Sequence, residues 1–131
     1  MKLALATVAA VLALGGCSAQ ANAERTVLVS IEHSRFDPGA MSFRTGETVR
    51  FIVRNDDPID HEFLIGDEAA QRAHELGTEL EHGDKPGGIT IPAGSSRETV
   101  YTFEEPGRLI FGCHLPSHYA YGMRGEIEVG T

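Results

Sequence analysis

The run Phe111-Gly112-Cys113-His114-Leu115-Pro116-Ser117-His118-Tyr119-Ala120-Tyr121-Gly122-Met123 sets a thiol, an imidazole and a thioether at Cys-x4-His-x4-Met spacing within one short loop. These are copper ligands. A blue-copper site takes a thiolate and two imidazoles in a near-trigonal plane with a distant axial thioether, so that Cu(I) and Cu(II) share nearly one geometry. His61 offers the second imidazole, opening the apolar run Phe63-Leu64-Ile65 just after the turn-rich segment Asn55-Asp56-Asp57-Pro58-Ile59-Asp60. Singly, each residue has a plainer explanation: Cys as a small buried hydrophobe, Met as a gap filler, His as a surface or hydrogen-bonded core residue. Their conjunction in this order, in a chain with 3 Met and 2 Cys, points to copper. Zinc also binds Cys and His, but structural zinc sites favour closed tetrahedral sets without thioether.

Four ligands brought together from distant positions need rigid elements to hold them. Val27, Val29 and Ile31 alternate with Leu28 and Ser30, and Val49, Phe51 and Val53 alternate with Arg50 and Arg54, the pattern of half-buried strands. Phe63 and Ile65, Thr99 to Phe103, Arg108 to Phe111 and Gly125 to Val129 continue it, so that Cys113 ends one strand and Met123 begins the last. Turn signals recur at Asp37-Pro38-Gly39, Thr45-Gly46-Glu47, Pro92-Ala93-Gly94 and Glu104-Glu105-Pro106-Gly107. Many short strands so punctuated predict an all-β, antiparallel sandwich. The exception is an acidic insertion at about 67–88, where Asp67 caps a short helix with Ala70, Ala73 and Leu76 on one side, lying over one end of the sandwich.

The 131 residues fit one domain behind a targeting segment. Residues 1–16 read as a signal peptide, with Lys2 before the apolar run Leu3 to Leu14. Leu14-Gly15-Gly16-Cys17 resembles a bacterial lipobox, which makes Cys17 the lipidated first residue of the mature chain and 17–24 a flexible tether. The alternatives are an ordinary secretory signal cut near Ser18-Ala19-Gln20-Ala21 and a Cys17–Cys113 disulfide, which would spend the best-placed metal thiol on a flexible tail. The net charge is −8, which disfavours nucleic acid as a partner. Contact with the membrane is expected through the lipid alone, and the domain, 25–131, is expected to be a monomer.

With these residues placed, the chain resembles the cupredoxins, small single-domain blue-copper proteins, over about Arg25 to Thr131. The resemblance implies a Greek-key β-sandwich with one type 1 copper, held by His61 from an upstream strand and by Cys113, His118 and Met123 from the C-terminal loop. It also implies an apolar docking patch around the outer edge of His118, for which Leu115, Pro116, Tyr119 and Tyr121 are available. Two positions depart from the family's usual pattern. Glu62 stands where a small polar group often braces the thiolate loop, so that role falls to Glu62 or to nearby Asn55. His114 directly follows Cys113, and alternation turns its side chain away from the metal. The segment from His61 to Glu68, followed by a His-bearing acidic insertion, is similar to a subgroup of exported cupredoxins linked with copper handling. There His74 and His82, among Glu75, Glu79, Glu81 and Asp84, form either a weak auxiliary metal site or a solvated acidic loop.

Three functions follow for comparison. A carrier shuttling single electrons between extracytoplasmic redox partners, still unidentified, needs only the copper site and a docking patch, and is the leading expectation. A copper tolerance, sequestration or delivery protein of the cell envelope is the alternative and would add auxiliary ligands. An oxidase or reductase would need further copper centres built from His-x-His pairs; the 6 His include no such pair, so no enzymatic activity is expected.

Overall fold

The computed structural model describes residues 25–80 and 83–131. The expected signal peptide, the tether with Cys17, and His82 lie outside the described residues. Apolar alternation builds β1 (Arg25–Glu32), β4 (Thr48–Asn55), β7 (Ser96–Thr102) and β9 (Arg124–Gly130), while β5 (His61–Gly66) and β8 (Gly107–Gly112) read as apolar runs. Three further strands, β2 (Arg35–Asp37), β3 (Ala40–Arg44) and β6 (Gly88–Ile91), are too short to leave a periodic signal, and one helix, α1, spans Glu68–Glu75. The strands form a four-stranded sheet ordered β2-β1-β4-β7 and a five-stranded sheet ordered β3-β9-β8-β5-β6.

Both sheets are mixed, which corrects the antiparallel expectation. β1 runs parallel to β4, pairing Val29 with Val53, and β3 runs parallel to β9, pairing Met41 with Ile127. The cause is one crossing. His33 and Ser34, at φ 53° and 54°, make the two-residue turn between β1 and β2. The chain then passes Pro38 and Gly39 into the opposite sheet as β3, and returns as β4 on the free side of β1, in β1's own direction. Alternation records which face is buried, not which way the neighbouring strand runs.

The inner faces meet over a phenylalanine core in which Phe51, Phe63, Phe103 and Phe111 are at most 1% exposed. Phe36 sits edge-on to Phe63 and Phe111 at 5.8 and 5.3 Å, and Phe43 stacks on Phe103 at 4.5 Å. Each such pair adds about 0.5–1.5 kcal/mol beyond the area it buries. β5 lies between β8 and β6 and is buried on both faces after Glu62, which explains its unbroken run Phe63-Leu64-Ile65.

Asp67 caps α1 as expected, accepting from the Ala70 N–H at 2.7 Å. The face that packs is not the expected apolar one. Leu76 is 61% exposed, whereas Gln71 is 2% exposed. The helix lies against β5 and β8, where the Gln71 amide donates to the Leu64 carbonyl at 3.0 Å and to the Ile110 carbonyl at 2.9 Å. Two strand carbonyls need donors at this surface, and methyl groups supply none.

Candidate metal centre

Cys113 follows β8 and Met123 precedes β9, and these strands are antiparallel neighbours whose last pair is Gly112 with Arg124. The Cys113 N–H donates to the Met123 carbonyl at 3.1 Å, and the Met123 N–H donates to the His118 carbonyl at 3.0 Å. The loop is thus closed at its base and folded back on itself. Gly122 completes the return at φ 97°, a conformation glycine adopts without penalty. On the other side of β8 lies β5, and its first residue, His61, arrives beside Cys113. His118 Nδ1 stands 3.3 Å and His61 Nδ1 3.9 Å from Cys113 Sγ.

One ligand atom from each of His61, Cys113 and His118 lies within 4.8 Å of the other two. His61 and Cys113 are wholly buried, Met123 is 2% exposed, and His118 is half-buried. Met123 packs in the same core cluster as Cys113. This donor set fits copper: two imidazole nitrogens turned toward one sulfur, with a thioether in the apolar surroundings.

Hydrogen bonds around the ligands fix their orientation. His61 Nε2 lies 2.8 Å from Asp57 Oδ2, and the same carboxylate accepts the His33 and Ser34 N–H groups at 2.7 Å each. Burial raises the Asp57 pKa, but the hydrogen bonds from Ser34, His61 and His33 outweigh it and hold the group below the usual carboxylate range. Cys113 moves the other way. Burial pushes its thiol up and the charge of Glu62 adds to this, against the N–H groups of Glu62 and Leu115. Metal loading therefore has to displace a thiol proton.

Comparison with known proteins decides the family. The sequence model of the cupredoxin-like domain matches residues 4–129. This chain belongs to the cupredoxin family. Three relatives carry the name copper-resistant cuproprotein CopI. That of Rubrivivax gelatinosus is 40% identical across 83% of this chain and 68% of its own. The Pseudomonas aeruginosa protein is 30% identical across 89% and 82%. Among solved structures, dithionite-reduced auracyanin from Roseiflexus castenholzii superposes with a TM-score of 0.66 at 25% identity, covering 83% of this chain and 99% of that one. The two packed sheets are those of a cupredoxin β-sandwich, and the family and its copper-protein relatives imply copper as the ion bound.

In this cupredoxin the brace of the thiolate loop is Glu62. Its N–H donates to Cys113 Sγ at 3.2 Å, and its carboxylate accepts the His114 N–H at 3.1 Å. Asn55 braces the other side of the site instead. Its amide donates to the carbonyls of Ile59, Ile91 and Pro92, and its side-chain oxygen accepts the Asp57 N–H, none of them on the thiolate loop. His114 points away from the metal group, yet it is not idle. Its ring bridges Gln71 Oε1 at 2.7 Å and Glu75 Oε2 at 2.5 Å, tying α1 to the ligand loop.

Of the four residues expected to form a docking patch, two are engaged within the chain. Tyr119 stacks on His114 at 4.3 Å with Arg124 over its ring, and lies against Gly112, where a Cβ would come within 2.7 Å of it. It is a wall of the loop rather than a free contact. Leu115 is half-buried against the core, leaving Pro116 and Tyr121 exposed in the loop that carries His118. In the insertion, His74 is engaged by Glu79 and Glu62 and joins no group of three potential ligands among the described residues. Asp57 and Gln71 were missed from sequence. Asp57 has two acidic neighbours, Asp56 and Asp60, that look alike, and a buried Gln on a polar helix leaves no signal.

Proposed function

We propose that this cupredoxin is a copper-tolerance protein of the cell envelope, in which His61, Cys113 and His118 would hold one type 1 copper, with Met123 supplying a weak thioether. The observation that supports it is the conjunction of a largely buried Cys/His/His group with 40% identity to a copper-resistant cuproprotein. Copper held by these residues would supply one-electron chemistry between Cu(I) and Cu(II). The chain's own residues do the holding. Cys113 gives up its proton on loading, His61 and His118 present Nδ1, and the surrounding sandwich limits access to the half-buried edge of His118. Export by residues 1–16 and anchoring through Cys17 belong to the same proposal, as do a monomeric state and the lack of any turnover.

Electron transfer to a redox protein is the second function, favoured by Pro116 and Tyr121 exposed in the loop that carries His118. Growth on copper separates the two. A bacterial strain stripped of its copper-tolerance genes should grow at raised copper with the wild-type protein and fail with Cys113→Ser at equal abundance. Equal growth of both strains would refute tolerance through this site and favour the carrier.

A further inference from the structure

We propose that Asp57 is a positioning residue for the copper site: its buried carboxylate holds His61 with the proton on Nε2 and biases the bound ion toward Cu(II). This presupposes copper at His61, Cys113 and His118, as proposed above. His61 is wholly buried, with Nδ1 toward Cys113 Sγ and Nε2 at 2.8 Å from Asp57 Oδ2. A carboxylate only accepts, and a neutral imidazole has one N–H, so the proton sits on Nε2 and the Nδ1 lone pair is left for the metal.

The carboxylate cannot swing away. The β1–β2 turn, with both residues at positive φ, aims two successive N–H groups at it: His33 to Oδ1 and Ser34 to Oδ2, each at 2.7 Å. From the other end, its own N–H is held by Asn55 Oδ1 at 3.0 Å. Turn, strand end and ligand thus form one connected unit. The Asp57 side chain is 10% exposed, so solvent screens its charge poorly. A carboxylate behind a ligating imidazole raises the basicity of that ligand, and a fixed negative charge favours the more positive ion. A tolerance protein built this way retains copper as Cu(II) more firmly than one whose histidine leans on a neutral partner.

Two measurements test it. In the metal-free wild-type protein, nitrogen-15 spectra should show His61 protonated on Nε2 and bare on Nδ1; a proton on Nδ1 would overturn the proposal. In the copper-loaded protein, Asp57→Asn should weaken Cu(II) relative to Cu(I) binding about tenfold, the lower end of the range for lost partners of metal ligands. For a one-electron couple this is a rise in reduction potential of about 59 mV. Val129→Ala, a core change in β9 away from the site, controls for lost stability. An unchanged potential in Asp57→Asn, or an equal rise in Val129→Ala, would overturn it. Should Asp57→Asn not fold, the wild-type tautomer decides. A wild-type protein that binds copper with no thiolate-to-copper band would instead sink the placing of copper on Cys113, while the tautomer remains readable without metal.

Discussion

Replacing Gln71 by Ala removes the donor pair that reaches both the Leu64 and Ile110 carbonyls and the acceptor that meets His114 Nε2. Each buried polar group left without its partner costs about 1–3 kcal/mol. Water entering the space vacated by the side chain recovers part of that, so the expected loss is about 2–4 kcal/mol. For a domain of this size the melting temperature should fall by roughly 10–20 °C. Urea and thermal unfolding of metal-free protein measure it. His114 keeps Glu75 and Tyr119, and no ligand of the metal is touched, so the copper-loaded spectrum should survive below the new melting point. Leu76→Ala, at the exposed C-cap of the same helix, should change stability by less than about 0.5 kcal/mol. A Gln71→Ala cost as small as that of Leu76→Ala would refute the claim that a polar bridge, rather than the apolar side chains of α1, docks the helix.

The axial thioether is a weak ligand, so Met123→Leu should keep copper and its charge-transfer band while raising the reduction potential; His61→Ala should lose more than the roughly 10–100-fold in affinity that a partner of a ligand costs. Equal copper loss in both variants would be contrary to this ranking. His74→Ala should leave copper stoichiometry at one in Cu(I) and Cu(II) titrations, since that ring is taken by Glu79 and Glu62; a tight copper present in the wild type and absent in the variant would instead place an auxiliary site in the insertion. Cys17→Ala should abolish metabolic labelling with a fatty acid, and persistent labelling would exclude Cys17 as the acylated residue.

The Cys-x4-His-x4-Met spacing was legible because a closed loop between neighbouring strands imposes it locally: eleven residues from Cys113 to Met123 must leave β8 and rejoin β9. His61 was legible for a different reason, as an imidazole at the head of a run apolar enough to be a central strand. Burial followed from alternation in β1, β4 and β9, and the cap of α1 from Asp67.

What tertiary structure decided were relations between distant segments. Strand direction beside β1 depends on where the chain crosses between sheets, and no side-chain pattern encodes that. The roles of Glu62 and Asn55 were separable only once β5, β6 and the thiolate loop stood side by side, because a backbone N–H aimed at sulfur is anonymous in sequence. Asp57 serves His61 because a turn 23 residues away in the chain fixes its carboxylate, and Gln71 is buried because two strand carbonyls need a donor there. Residue type and local period determine which groups are available for chemistry. Which of them meet is settled by long-range packing, where burial makes every unpaired polar group costly and so selects one set of partners.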